Sequence, residues 1–211
     1  MTPSLPEGVE RHDFDGTTSI ATRGHPEYGE RTDGEWRRWD PHRSKLGAML
    51  ALGMDTGLEA DLKTLYLGAA AGTTVSHVAD FGGPTYAVEF APRPVRELLD
   101  AADHRPNLFP LLKDARRPES YAHVVEPVDV IVQDVATRGQ ARVAALNRQF
   151  LDGDGRLLAA VKARSEDVTA DPEDVFDEVV AELSTSYEVL ASEELDPYHE
   201  DHLGVVARPL E

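Results

Sequence analysis

The run Leu65-Tyr66-Leu67-Gly68-Ala69-Ala70-Ala71-Gly72-Thr73-Thr74 restricts the fold more than any other part of the chain. A short apolar strand enters a turn of small residues, and a helix restarts at a hydroxyl pair. Small residues let the backbone approach a polar ligand closely, and the first turn of the helix aims free N–H groups at it. Three acids then close successive apolar runs: Glu89 after Tyr86-Ala87-Val88, Asp114 after Phe109-Pro110-Leu111-Leu112-Lys113, and Asp134 after Val130-Ile131-Val132-Gln133. In an open α/β sheet, ligands sit at the carboxyl ends of the strands. A Gly-rich turn and three carboxylates at such ends describe a single cleft.

From Thr64 onward, strand and helix patterns alternate, as a parallel sheet requires. The pattern predicts strands over Thr64–Leu67, Thr85–Glu89, Leu108–Leu112, Val128–Gln133, Leu157–Lys162, Tyr187–Glu193 and Leu203–Ala207. It predicts helices near Thr74–Asp80, Pro94–Asp103, Glu119–Val124, Gln140–Phe150 and Pro172–Ser184, with Gly153-Asp154-Gly155 as the turn before the fifth strand. No helix fits between the last two strands, so they should pair as an antiparallel hairpin. This is the α/β layout of class I methyltransferases, a Rossmann-like sheet of seven strands. Upstream, Asp15-Gly16 and Asp33-Gly34 are hairpin dipeptides beside β-prone pieces at Thr17–Thr22 and Glu35–Trp39. A helical pattern follows at Ser44–Leu52. The division expected is a small β domain over residues 1–42 and a methyltransferase domain over residues 43–211.

A chain of 211 residues with 41% hydrophobic content can bury the core of such a domain. It contains no cysteine, which excludes disulfides and thiolate metal sites. No apolar run is long enough to span a bilayer, and the first residues lack a signal-peptide pattern. A cytoplasmic location and no membrane partner are the expectations. The formal charge is −18, spread along the chain, and only four lysines remain: Lys45, Lys63, Lys113 and Lys162. Dispersed carboxylates keep a protein solvated where salt screens strongly, which points to a halophilic source.

Glu89 is either a solvated strand-end acid or the acceptor of both hydroxyls of a ribose, as strand-two acids are in nucleoside-binding folds. Gly68 and Gly72 lack the spacing of a strict dinucleotide fingerprint, and there is no P-loop lysine. A ligand with ribose and adenine but no pyrophosphate fits better, which points to S-adenosylmethionine. Asp114 with Ala115 either faces the adenine amino group or caps the segment that follows. His42, His77, His104 and His123 have no ligand spacing, and no metal is expected.

Several longer motifs now align with one family. Tyr66 to Asp80, Val88-Glu89-Phe90-Ala91-Pro92-Arg93, Val128 to Ala136, Val161-Lys162-Ala163-Arg164-Ser165 and Pro197-Tyr198-His199-Glu200-Asp201-His202 resemble fibrillarin, in its archaeal form, as does the approach Trp39-Asp40-Pro41-His42-Arg43-Ser44-Lys45-Leu46. The resemblance implies an S-adenosylmethionine-dependent RNA ribose 2′-O-methyltransferase. It implies cofactor contacts at Gly68, Thr73, Thr74, Glu89, Phe90, Asp114, Ala115, Asp134, Val135, Ala136 and Thr137. It further implies a catalytic set of Lys45, Asp134, Lys162 and His202, with His199 a competitor for the last place. The family's usual Gln-Pro after Ala136 is Thr137-Arg138 here. The implied partners are a box C/D guide RNA, a Nop-family scaffold protein, a kink-turn-binding ribosomal-type protein and substrate rRNA or tRNA.

The chemistry supports that set. A ribose 2′-hydroxyl is a poor nucleophile, so an enzyme must align it with the methyl and ease its deprotonation. Lysine beside aspartate can hold such a group in place, and a lysine kept where arginine fills most basic positions suits that task. Arg116, Arg117, Arg138, Arg142, Arg148 and Arg164 either rim the cleft for RNA phosphates or pair with neighbouring carboxylates. A methyltransferase acting on protein, for example on glutamine, and a non-catalytic scaffold subunit would share the same cleft.

Overall fold

The computed structural model describes residues 5–210; the leader expectation for residues 1–4 lies outside them. The chain begins with a small antiparallel sheet of β1 (Val9–Phe14), β2 (Thr17–Arg23), β3 (Thr32–Asp33) and β4 (Trp36–Arg38), in the order β1-β2-β4-β3. Asp15-Gly16 turns β1 into β2 with φ of 54° and 85°, the paired positive values that match strand twist in a two-residue hairpin. Asp33 pairs with Trp36, so the second turn is Gly34-Glu35, one residue later than the dipeptide suggests. Helix α1 (Lys45–Leu52) is capped by Ser44, whose Oγ accepts from Gly47 N at 3.0 Å.

Beyond it run β5 (Thr64–Leu67), α2 (Thr73–Phe81), β6 (Thr85–Glu89), α3 (Pro92–Asp103), β7 (Leu108–Leu112), β8 (Val128–Gln133), α4 (Gln140–Asn147), β9 (Leu151–Lys162), α5 (Ala163–Glu166), α6 (Pro172–Leu183), β10 (Tyr187–Glu194) and β11 (His202–Pro209). Seven strands form one mixed sheet in the order β10-β11-β9-β8-β5-β6-β7. The inner strands are parallel; β11 lies between β9 and β10 and is antiparallel to both. Every residue of β5 and β6 is buried, which is why these strands read as continuous apolar runs. The order reverses between β5 and β8, so a crevice opens beyond their carboxyl ends. Among the described residues, no helix is long and apolar enough to cross a membrane.

Two expectations change. Glu119–Val124 is no α-helix: Pro118–Ser120 forms a single 3-10 turn, and the crossover is pinned by Tyr121, fully buried with its hydroxyl bonded to Asn147. Pro127 disfavours helical backbone at Glu126 just before it, and the buried Tyr121 fixes the segment as turns. Gly153-Asp154-Gly155 is not a turn before the fifth strand but lies inside β9, where the register with β8 slips between Val128/Leu151 and Val130/Arg156. Gly155 serves a close approach there, since a Cβ on it would meet Asp129 O at 2.7 Å.

One core cluster lies under each face of the large sheet. The first includes Tyr66, Val130 and Val132 together with Val9, Ile20 and Trp39 from the small-sheet region. The second holds Leu65, Leu67 and Ile131 against α4 and α6. The small sheet is fastened to α2 by a buried polar network. The Arg37 guanidinium donates to Asp80 at 2.7 Å, Glu30 at 2.9 Å and Ser76 Oγ at 2.9 Å. Thr22 donates to Asp80, so His77 Nδ1–H donates to Thr22 Oγ1 at 2.7 Å. Trp39 stacks on His77 at 4.8 Å.

Candidate functional site

The crevice at the strand-order reversal is a cavity of about 350 Å³, within the size range of small-molecule sites. The loop after β5 forms one wall and the loop after β8 the other. Gly68 stands between them at φ +83°, and a Cβ there would meet Asp134 O at 2.3 Å. Only glycine allows the two loops this approach. Ala70 follows at φ 48°, presenting its N–H to the carboxylate that ends β6.

That carboxylate is Glu89, 7% exposed. One oxygen accepts Ala70 N–H at 3.0 Å and the other accepts Ala91 N–H at 2.8 Å. Each oxygen thus retains a lone pair, and two such acceptors on one planar group match a vicinal diol such as a ribose presents. Phe90, 68% exposed, offers a free aromatic face to the same cavity. Asp114 and Ala115 line it from the end of β7, and Val135, Ala136 and Thr137 from the end of β8. The donor set and the volume fit a nucleoside bearing an amino-acid tail.

Among the described residues Asp114 caps no helix; the 3-10 turn that follows starts from Arg117. Asp114 lines the cavity, and its Oδ1 accepts Arg116 N at 2.9 Å in a local turn. Sequence reasoning missed how closely Arg116 holds it: the guanidinium donates to both carboxylate oxygens, the shortest bond being 2.7 Å. These bonds keep the Asp114 carboxyl below its usual range. Thr73 and Thr74 are not brought to the cavity wall. Thr74 is buried and shares a hydroxyl–hydroxyl hydrogen bond of 3.0 Å with Ser44, which also accepts from Trp39 Nε1 at 2.8 Å. The Thr74 hydroxyl serves the seam with the small sheet.

Lys45 reaches over the cavity from the first turn of α1, and its Nζ lies 3.0 Å from Asp134 Oδ2. The lysine on Asp134 is therefore Lys45; Lys162 makes no ion pair with it. Lys162 ends β9, half-buried, without an ion-pair partner among the described residues. The β9–β11 register sets His202 beside it. His202 Nδ1–H donates to the Glu200 carbonyl at 2.6 Å, which leaves Nε2 as an acceptor. Burial lowers the His202 pKa, with Lys45 and His199 acting the same way against the Glu200 carbonyl and Asp134. His199 spends Nε2–H on the Pro41 carbonyl at 2.7 Å, tying this loop to the approach of α1. Burial and Lys45 lower its pKa as well.

The arginine rim divides. Arg116, Arg117 and Arg164 pair with Asp114, Glu119 and Asp201. Arg148 donates to the Leu210 carbonyl. Arg138 and Arg142 are exposed and have no ion pair among the described residues. Elsewhere, His104 does have partners: His25 and His104 each place Nδ1 2.8 Å from Glu27 Oε1. Their rings stack 3.8 Å apart and 7° from parallel. An ion in the plane of one ring would lie far from the plane of the other, so the group suits two N–H donors on one carboxylate oxygen.

Comparison with known proteins identifies relatives along the whole chain. The Fibrillarin family model matches residues 8–210. A fibrillarin-like rRNA/tRNA 2′-O-methyltransferase of Haloarcula marismortui is 82% identical over 206 residues, covering 98% of each chain. The fibrillarin of a fibrillarin/Nop5p complex superposes with a TM-score of 0.90 at 39% identity, over 98% of this chain and 99% of the other. An Aeropyrum pernix fibrillarin with natively bound S-adenosyl-L-methionine superposes with a TM-score of 0.80 at 40% identity, over 94% and 97%. With a family match across nearly its whole length, and with the cleft its sequence motifs describe, the chain belongs to the fibrillarin family.

Proposed function

We propose that this protein is an S-adenosylmethionine-dependent RNA ribose 2′-O-methyltransferase, the catalytic subunit of a box C/D guide-RNA particle. The observation that carries the reading is the Lys45–Asp134 pair at the mouth of a cavity whose Glu89 keeps two acceptors for a ribose diol. Gly68, Glu89, Phe90, Asp114, Ala115, Val135, Ala136 and Thr137 would hold the cofactor, with Thr73 and Thr74 contributing only through the start of α2. When bound, S-adenosylmethionine supplies a sulfonium methyl already activated for transfer. Lys45 holds Asp134 by one oxygen and places a positive charge where the 2′-oxygen gains negative charge. The other Asp134 oxygen and His202 Nε2 are the acceptors available to the hydroxyl proton. Lys162, beside His202, adds an ammonium for orienting the ribose and its phosphates.

The remainder of the reading concerns partners. A charge of −18 leaves little long-range attraction for RNA. Substrate would therefore be brought by a guide RNA, a Nop-family scaffold protein and a kink-turn-binding ribosomal-type protein. A relative in complex with Nop5p supports the scaffold part. The division at residue 42 into a small β domain and a methyltransferase domain, and solvation adapted to high salt, belong to the same proposal.

The test is single-turnover transfer of tritiated methyl to guide-paired rRNA or tRNA at high salt, with and without the partner proteins. Asp134→Ala and Lys162→Ala should each slow transfer by roughly two to four decades, the usual worth of positioned acid–base groups. Transfer to protein instead of RNA would overturn the substrate. Efficient RNA methylation by the lone subunit would overturn the partner dependence.

A further inference from the structure

Strand β8 pairs with β9 only as far as Gln133 opposite Ala159, and then turns into the cavity loop. Strand β9 continues to Lys162 with no strand on that side among the described residues. Its other side is occupied by β11, and Ala163 N donates to Asp201 O at 3.1 Å there. By the alternation of an antiparallel ladder, the N–H and C=O of Lys162 therefore face the side that β8 has left. Two backbone polar groups next to a reacting centre need partners.

A side chain supplies them. Gln140, 1% exposed, accepts Lys162 N–H on Oε1 at 2.9 Å and donates from Nε2 to Lys162 O at 3.1 Å. Its amide stands in for the missing strand. Gln140 is itself held: Nε2 also donates to Glu166 Oε1 at 3.0 Å, and its backbone N–H donates to the same oxygen at 2.7 Å. Gly139, the residue before α4, has no side chain to cap the helix, and Glu166 accepts its N–H at 2.8 Å in place of a cap. Gln133 Nε2 donates to Gln140 O at 2.9 Å from the end of β8. The loop 134–137 that lines the cavity therefore runs directly into the residue that grips Lys162.

We propose that Gln140 is a positioning residue for methyl transfer, fixing the backbone of Lys162 relative to the Asp134 loop, with Glu166 as its anchor. The inference rests on the assignment of Lys162 to the reacting centre. Gln140 does not line the cavity, so its removal should act on rate and not on cofactor binding.

The test is a double-mutant cycle in the reconstituted particle. Gln140→Leu should slow single-turnover transfer by roughly ten- to a hundredfold, as a misplacement near 1 Å does. Calorimetric affinity for S-adenosylhomocysteine should stay within about twofold. In a Lys162→Ala background the same substitution should change the rate by less than about twofold, because coupled residues are not additive. An equal penalty in both backgrounds overturns the positioning role alone. Near-normal transfer by Lys162→Ala overturns the catalytic assignment of Lys162, and this inference with it. If Gln140→Leu does not fold, Gln140→Glu decides. It keeps the acceptor for Lys162 N–H but sets a carboxylate against Lys162 O and Glu166, the titratable group it touches. Protonation restores the donor, so its rate relative to wild type should rise as pH falls; a flat ratio overturns the proposal.

Discussion

Glu89→Ala should weaken cofactor binding by an amount that the geometry bounds. The carboxylate already accepts one backbone N–H on each oxygen, at 3.0 and 2.8 Å, so it can offer one further lone pair per oxygen to a ribose diol. Two hydrogen bonds to a charged acceptor are worth about 1.5–3 kcal/mol each. Water enters the space left by the truncation and replaces part of that, which leaves about 2–4 kcal/mol, or roughly thirty- to a thousandfold in Kd. Ala70 is exposed, so water also takes its freed N–H and the fold survives. Glu89→Gln is not a silent control. An amide presents one acceptor oxygen, so the N–H of Ala70 or Ala91 must face an NH₂, and the ligand keeps one bond to a neutral oxygen while its other hydroxyl must turn to accept from the NH₂. Its loss should fall near half that of alanine. Calorimetric titration with S-adenosylhomocysteine at molar salt reads both numbers. A folded Glu89→Ala with affinity within about twofold of wild type would remove Glu89 from the site and refute the two-lone-pair reasoning.

Two further outcomes are expected. The isolated protein should lose structure as molar salt is dialysed away, because a charge of −18 is then unscreened; circular dichroism across a salt series checks this, and an unchanged melting temperature in dilute buffer contradicts it. His77 is buried, and burial with nearby Arg37 and Arg105 drives its pKa well below 6.5. Its neutral form thus adds stability that is present above the unfolded value and is lost as pH falls through the native one. Melting temperature at high salt should drop between about pH 7 and pH 5, and His77→Phe should flatten that slope.

What the chain revealed in advance follows from where its physics is local. Fully buried parallel strands are continuous apolar runs, and a type I′ turn demands residues such as Asp15-Gly16, so both were legible. The acids Glu89 and Asp134 were legible because they end those runs. Glu119–Val124 was misread because its fate is set by Pro127 and by a hydrogen bond from Tyr121 to the distant Asn147. Gly153-Asp154-Gly155 carries turn chemistry but sits where Gly155 must pass close to the Asp129 carbonyl. The Arg37–Asp80 network and the pairing of His25 with His104 join residues far apart in sequence, and no spacing rule reaches them. Lys45 on Asp134 came from family likeness, since nothing local connects the two. Gln140 gave no signal, because its role depends on β8 ending three residues before β9.

Ser44 has an evolutionary consequence. Its hydroxyl is the meeting point of Trp39 from the small-sheet region, Gly47 within α1 and Thr74 at the start of α2, and it directly precedes Lys45. A change at any one of these positions moves the lysine as well as the seam. Trp39, Ser44 and Thr74 thus form one contact set, and a substitution at one should be felt at the other two. A chimera that joins the small sheet of one relative to the large sheet of another would inherit a mismatched foundation unless all three came from one parent. The small sheet is heritable as part of the catalytic unit, not as an exchangeable accessory.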